Sequence, residues 1–275
     1  MSSEVFILVE GDDLEWQIID SLKTCFYNDL NIKLKSKVIL IGAFGTSIYG
    51  LYKETSNDPD LDLFGLIKEK GRKKIDDLEN ERLKNNKQSF SEKQQKIVDH
   101  IKNLLEYKVA NVSEVFLFFD YDSHCTNADD LKIDNMLKLF NEETEFGKLY
   151  LSYPMVEAIK HIDNDCFKDK VDIAEKCYKT KVNRTCLEEY KHFNDYDINT
   201  WRRIIKLHLQ KMNYIVNDIY DLPSNNISQR MIFKCQKTKY IDKLREDCKV
   251  VAVLSAFPPF LYDYFTDDVR SIFIG

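Results

Sequence analysis

The sequence lacks any apolar run approaching the ~20 residues that a membrane-spanning helix requires. Its N-terminus also lacks the basic stretch followed by an apolar core that marks a signal peptide. The seven cysteines are odd in number and show no Cys-x-x-Cys spacing, which argues against a zinc site and against a disulfide framework. We therefore expect a cytoplasmic protein with reduced thiols and no membrane contact.

Charge is the next constraint on function. The 275 residues carry a net charge of −6, which argues against a protein that coats nucleic acid through bulk positive charge. Residues 151–250 nevertheless contain 19 Lys and Arg against 15 Asp and Glu, so a phosphate-bearing partner is compatible with the sequence. The composition, 44% hydrophobic and 31% charged, is typical of one large globular domain or of a core with an appended lobe.

Four apolar runs predict β-strands, at residues 5–9, 37–41, 115–119 and 148–152. Each is followed by a segment that predicts a helix. The clearest case is VFILVEGDDLEWQIIDSL, in which the apolar run stops at Glu10 and an acidic helix start follows. Strands that alternate with helices in this way are typical of a parallel sheet flanked by helices. The predicted fold class is therefore α/β, with a four-stranded parallel sheet.

Two regions depart from this alternation. Residues 56–110 are densely charged, with good apolar spacing only near Ile97 and Ile101, and we predict a helical insertion that projects as a hairpin. From 155 onward the pattern is helical and rich in aromatic residues, although the tail VVAVLSAFPPFLYDYF fits a core strand and turn better than an exposed interface. The predicted organisation is a core at 1–162, which contains the insertion at 56–110, and a mainly helical C-terminal lobe at 163–275.

Carboxylates follow three of the four predicted strands. Glu10 follows the first strand, Asp120 and Asp122 follow the third, and Glu157 lies shortly after the fourth. Parallel strands end at one edge of a sheet, so these side chains can converge although they are distant in sequence. Hard divalent ions such as Mg²⁺ prefer oxygen-rich sites, whereas clustered carboxylates without a cation cost stability. The pattern predicts a metal site. The alternative is that each acid is an ordinary helix cap or solvated turn residue.

The order of these features resembles the Toprim family, which includes topoisomerases, bacterial primases, recombination proteins and the nucleases related to overcoming-lysogenisation-defect proteins. The resemblance rests on three motifs, LVEGDDLE, IGAFGTSI and LFFDYDSH, and covers roughly residues 5–55 and 112–162. It implies a Toprim-like sheet in which Glu10 acts as a general acid/base or helps to hold metal. It also implies that Asp120 and Asp122 bind Mg²⁺ (or Mn²⁺). The insertion departs from the compact family core.

The stretch LSYPMVEAIKHI is similar to the segment after the last core strand in Toprim proteins of bacterial anti-phage systems. On that likeness Glu157 is a further metal ligand. Lys160, one turn on, is a candidate catalytic residue that neutralises a phosphate or protonates a leaving group. An ordinary role at the protein surface is the alternative for both residues.

Among Toprim activities, the sequence favours hydrolysis of nucleic acid. The chain is too short for the strand-passage apparatus of a topoisomerase, and no tyrosine among its 15 stands out as a nucleophile. The cysteine spacing excludes the zinc module usual in primases. The expected function is a Mg²⁺-dependent nuclease of DNA or RNA, tRNA included, as the toxic effector of an anti-phage (abortive infection) system with a separate ATPase sensor. The alternative is a non-catalytic Toprim-fold module that binds a partner and is regulated by an ATPase.

Overall fold

The computed structural model describes residues 4–26, 38–58, 60–173, 177–242, 249–265 and 270–274. Its centre is a five-stranded sheet made of β1 (Glu4–Val9), β2 (Ile39–Ala43), β3 (Val112–Asp120), β4 (Asn141–Glu142) and β5 (Gly147–Ser152). The order across the sheet is β2-β1-β3-β5-β4, and every neighbouring pair is parallel except β4 and β5. The fold is α/β, with a mostly parallel mixed sheet.

Helices flank this sheet and dominate the C-terminal region. In the described ranges they are α1 (Leu14–Cys25), α2 (Ile48–Asn57), α3 (Leu63–Lys84), α4 (Glu92–Glu106), α5 (Asp130–Leu139), α6 (Tyr178–Thr185), α7 (Ile198–Asn217), α8 (Gln229–Gln236) and α9 (Phe257–Phe265). A separate antiparallel pair joins β6 (Lys170–Asp172) to β7 (Val250–Ala252). No helix in the described part of the chain combines the length and the hydropathy needed to cross a bilayer.

The four predicted strands are all present and parallel to one another. The second, predicted at 37–41, is observed at Ile39–Ala43, and residue 37 lies outside the described residues. The prediction of a purely parallel, four-stranded sheet needs one correction, because β4 adds a fifth, antiparallel strand at the edge. This strand consists of Asn141 and Glu142, which are polar and exposed. It has no apolar period from which it could be predicted, and its position follows from its pairing with β5.

Helices cover both faces of the sheet, which explains the continuous apolar runs of β1 and β3. On one face α9 lies against β3, and Phe257 stacks on Phe118 with ring centroids 4.6 Å apart. On the other face Phe6 of β1 meets Phe64 of α3 edge to face, at 5.1 Å. The end of the chain therefore contributes to the core of the sheet.

The described residues of 56–110 include the end of α2 and a hairpin of α3 and α4 that packs against the edge strand β2. The turn of the hairpin ends in a capping box, in which the side chains of Ser91 and Gln94 bond to each other's backbone N–H. Gly42 of β2 permits the close approach of α3, since a Cβ atom there would lie 2.6 Å from Cγ2 of Ile67. The charged segment is thus helical and extends the helical cover of the sheet at β2.

Candidate functional site

The carboxyl ends of β1 and β3 bring Glu10 and Asp120 into contact. The register pairs Val9 with Phe118, so Glu10 follows β1 beside the last residues of β3. The backbone N–H of Asp120 donates a hydrogen bond to Oε2 of Glu10 at 3.2 Å. The backbone N–H of Gly45, after β2, donates to the carbonyl oxygen of Glu10 at 2.9 Å. The exits of three adjacent strands therefore position this glutamate.

Asp120 is the central acid of the site and is only 6% exposed. Burial raises the pKa of its carboxyl group well above the usual range, and the charges of Glu10, Glu15 and Glu157 raise it further. A hydrogen bond from the backbone N–H of Val156 opposes the shift without reversing it. Three further carboxyl groups thus surround Asp120, and they come from different parts of the fold.

Glu10 carries the second strongly perturbed carboxyl group. Burial is the main cause, and it raises the pKa of Glu10 to about 8 against the opposing effect of the hydrogen bond from Asp120. The charges of Glu15 and Asp122 add to the rise. Without a cation nearby, Glu10 is therefore largely protonated below neutral pH.

Glu157 lies in a short 3₁₀ helix, Val156–Lys160, after β5, and is fully buried. Its Oε1 atom forms an ion pair with Nζ of Lys179 at 3.0 Å, and Lys179 itself is 63% exposed. The other oxygen, Oε2, has no hydrogen-bond partner among the described residues. Burial pushes the pKa of Lys179 down, but the charges of Glu157, Glu15 and Asp120 outweigh this effect and raise it. Lys179, in α6, is thus the cation at the rim of the carboxyl groups.

Glu15 is a functional candidate that sequence reasoning missed. Its position in the acidic start of α1 is typical of a carboxylate that meets the helix dipole, and the residue is only 7% exposed. Its Oε1 atom accepts a hydrogen bond from the N–H of Gly11 at 3.2 Å, and burial raises its pKa. One signal was available, because Ile18, Ile19 and Leu22 follow at helical spacing and place Glu15 on the apolar face. Nothing in the sequence pointed to Lys179.

These groups form one unit, which we call the acidic cluster: Glu10, Glu15, Asp120 and Glu157, with Lys179 as its cation. Asp122, the third predicted metal ligand of the strand exits, lies at its margin. It is half-buried, has a φ angle of 29°, and accepts a hydrogen bond from the Cys125 thiol at 2.7 Å. Its charge acts on Glu10, so it remains electrostatically linked to the cluster.

Lys160, predicted to be catalytic, is held by structural contacts. Its ammonium group donates to the carbonyl oxygen of Lys191 at 2.9 Å and lies 4.5 Å from the centre of the Phe193 ring. Burial lowers its pKa, while the charge of Glu157 opposes that shift. Lys160 is thus near the acidic cluster, but its ammonium group ties together segments of the C-terminal region.

The acidic cluster suits a hard divalent cation by its chemistry. All its potential ligands are carboxylate oxygens, one of which, Oε2 of Glu157, has no hydrogen-bond partner in the described ranges. No group of three or more His, Cys, Asp or Glu residues within those ranges has the spacing of a ready-made metal site. Ion binding at the cluster would therefore require side-chain movements that draw its carboxylates together.

Comparisons with known proteins add no constraint on this arrangement. No protein-family model, no curated protein and no solved structure matches the chain.

Proposed function

We propose that this protein is a metal-dependent nuclease that hydrolyses phosphodiester bonds of DNA or RNA at the carboxyl edge of its sheet. One observation carries the proposal: β1, α1, β3 and the segment after β5 each deliver a carboxylate to the acidic cluster. Burial of like charges raises pKa values and costs stability. A fold that keeps four of them together is best explained by a functional site.

A divalent cation would offset the repulsion between the ionised carboxyl groups of the acidic cluster. Glu10, Asp120 and Glu157 are the residues that would hold Mg²⁺ or Mn²⁺, with Asp122 at the margin and Glu15 behind them. The bound ion supplies charge neutralisation at a phosphodiester and a lower pKa for an attacking water. This chemistry is what a nuclease requires near neutral pH.

The remaining tasks belong to side chains of this protein. Glu10 is oriented by the N–H of Asp120. Its raised pKa belongs to the cation-free protein and would fall once the ion binds, because a nearby cation favours the ionised carboxylate. Lys179 has an exposed ammonium group at the rim of the acidic cluster, where it can turn from Glu157 towards a phosphate of the substrate. We assign Glu10 to holding the ion and Lys179 to charge neutralisation on the substrate.

The resemblance to Toprim proteins of anti-phage systems supplies the proposed biological role. In that role the nuclease is a toxic effector, and a separate ATPase is the sensor that releases its activity. The acidic cluster contains no group that reads a base, so DNA and RNA, tRNA included, both belong to the proposal. A non-catalytic module that binds the ATPase is the alternative.

The test is to incubate the purified protein with plasmid, single-stranded DNA and total tRNA in the presence of Mg²⁺, Mn²⁺ or EDTA. We expect cleavage of at least one substrate with metal and none with EDTA. Asp120→Asn keeps the shape of the buried side chain but removes its charge, and it should be inactive. Asp77→Asn, on the exposed side of α3, is the matched control and should cleave like the wild type.

Two outcomes would count against the proposal. Cleavage by Asp120→Asn at the wild-type rate would show that the acidic cluster is not the active site. Absence of cleavage by wild type, also after removal of any co-purifying partner, would favour the non-catalytic module.

A further inference from the structure

A cavity of about 110 Å³ lies beside the acidic cluster, between α1, the turn after β2 and the hairpin of α3 and α4. A single water needs only about 10–15 Å³ of comparable volume, so the cavity has room for a phosphate group with its waters. Asp12, Trp16, Phe44 and Gly45 line one side. The insertion supplies the other side.

Two lysines of α3 line this cavity, and they lie one helical turn apart. The ammonium group of Lys70 is 4.3 Å from the centre of the Phe44 ring, so a ring beside the cavity positions it. Lys74 forms an ion pair with Asp12 at 2.8 Å, and its side chain is 45% exposed. An exposed ion pair of this kind is weak, so Lys74 can exchange Asp12 for another anion at little cost. The two lysines and Asp12 leave the cavity with one net positive charge.

Trp16 provides an independent sign of a missing acceptor. The residue is 4% exposed and lines the same cavity. Its indole Nε1–H has no hydrogen-bond partner among the described residues. A buried donor without an acceptor costs free energy, and a phosphate oxygen in the cavity would satisfy it.

Two residues that line the cavity connect it to Glu10 of the acidic cluster. Asp12 is two residues from Glu10 in the chain, and Gly45 donates its N–H to the carbonyl oxygen of Glu10 at 2.9 Å. The cavity that the two lysines line therefore also includes Gly45, which contacts the backbone of Glu10 at the exit of β1. A polyanion that reaches the carboxylates would meet the lysines with a neighbouring group.

We propose that this cavity binds a backbone phosphate of the nucleic acid strand, next to the phosphate that is cleaved at the acidic cluster. This inference rests on the proposed nuclease function and gives the insertion at 56–110 a role, which is to hold the strand in register with the carboxylates. The recognised feature is the phosphate charge, since Lys70, Lys74 and the Trp16 N–H are all donors and none of them reads a base.

The test measures binding separately from cleavage. In the Asp120→Asn background, fluorescence anisotropy follows the binding of labelled single-stranded DNA and RNA longer than the ~4–16 nucleotides that a single-strand binding module covers. The variant is Lys70→Gln with Lys74→Gln. The matched control is Lys73→Gln with Lys84→Gln, which removes the same charge from exposed positions of α3 that do not line the cavity. Lys70→Arg with Lys74→Arg keeps the charge and serves as the rescue.

We expect the Lys70/Lys74 glutamine variant to bind about tenfold more weakly, with a slope of log affinity against log salt that is smaller by about 0.7, since the cavity neutralises one phosphate and each phosphate contact contributes about 0.7 on a single strand. The control should change affinity by less than about twofold, and the arginine variant should bind like its parent. Trp16→Phe, which keeps the ring but removes the donor, should weaken binding by about threefold.

Equal losses in the glutamine variant and its matched control would overturn the inference, because charge alone would then explain them. So would an Asp120→Asn protein that binds no nucleic acid. Cleavage by otherwise wild-type protein is assayed in parallel. If it occurs with an unchanged KM in the Lys70/Lys74 variant, the nuclease function stands and the cavity proposal fails. If cleavage is absent but binding depends on the two lysines, phosphate binding in the cavity stands and the nuclease function fails.

Discussion

The backbone N–H of Asp120 donates a hydrogen bond to Oε2 of Glu10 at 3.2 Å, between residues 110 positions apart in the chain. The contact exists because β1 and β3 are adjacent and parallel, so that their carboxyl ends coincide. It holds the Glu10 carboxyl group close to Asp120, and the charge of Glu10 opposes the ionisation of the buried Asp120 side chain. Ionisation of both groups therefore lowers the free energy of unfolding, and the pair is the centre of the proposed active site.

The first prediction concerns the two aspartates of the strand exit. Asp120→Ala and Asp122→Ala should each lower Mg²⁺-dependent cleavage by about 100-fold or more, because each loses a carboxylate that would hold or orient the ion. In EDTA, the melting temperature of Asp120→Asn should equal or exceed that of wild type, since a repelled buried charge is gone. Added Mg²⁺ should raise the melting temperature of wild type more than that of either alanine variant. A Mg²⁺ response of equal size in all three proteins would contradict the assignment.

The second prediction concerns pH. The pKa of Glu10 is raised from 4.5 to about 8 in the folded state, so between these values the folded chain holds more protons than the unfolded chain. The buried His208, whose pKa is lowered from 6.5 to about 3, adds stability as pH rises towards 6.5. The contribution of Glu10 in EDTA has the opposite sign: it is fully present below about pH 4.5 and is lost as pH rises towards 8, by at most about 1.4 kcal/mol per pH unit. Asp120, whose pKa is also raised, acts in the same direction. Urea unfolding at several pH values measures the slope.

Two variants isolate the contribution of Glu10 to that slope. Glu10→Gln cannot ionise and should make the decline of stability with pH shallower. Glu79→Gln, at an exposed position of α3, removes one acid without touching the cluster and should leave the decline unchanged. If both variants show the wild-type slope, the raised pKa of Glu10 is not a property of the protein in solution.

The parallel sheet and the meeting of Glu10 with Asp120 could be predicted because both depend on local pattern. The runs VFILV and VFLFF identify buried strands, and parallel strands must end at the same edge. Lys160 shows where this reasoning stops. Its spacing from Glu157 suggested a catalytic ammonium group, but in the fold that group bonds to the carbonyl oxygen of Lys191. Which partner a lysine finds depends on the packing of distant segments.

The same limit applies to the other contributors to the site. Lys179 reaches Glu157 only because α6 packs beside the segment that follows β5. The insertion was predicted as helical from its composition, but its contact with β2 depends on a close approach at Gly42. No periodicity in a single sequence encodes either contact.

The third prediction concerns the turn of the helical hairpin. α3 ends at Lys84 and α4 begins at Glu92, and the residues between them are largely exposed. Limited proteolysis with a protease of broad specificity, such as proteinase K, should cut first in this turn, within residues 85–91, because exposed polar turns are the preferred sites. Mass spectrometry of the first fragments identifies the bond. First cleavage within 112–122 would contradict the placement of β3 in the core.

The last prediction concerns the ion pair of Lys179 with the buried Glu157. Lys179→Met should lower the free energy of unfolding by about 1–3 kcal/mol, because it leaves a fully buried carboxylate without its counter-ion. Adding Glu157→Gln to this variant should restore most of the loss, so a double-mutant cycle measured by urea unfolding in EDTA should give a coupling of about 0.5–3 kcal/mol. Arg184→Gln, exposed in the same helix, is the control and should stay within about 0.5 kcal/mol of wild type.

Mg²⁺ connects this ion pair to the proposed metal site. If the cation binds the carboxylates that Lys179 neutralises, Mg²⁺ should stabilise Lys179→Met more than wild type, because in the variant the ion need not compete with an ammonium group. The double variant with Glu157→Gln should respond less than Lys179→Met alone, since it lacks a carboxylate for the ion. A zero coupling in EDTA would show that the ion pair does not form in solution. A coupling that Mg²⁺ leaves unchanged would show that Glu157 pairs with Lys179 but holds no metal.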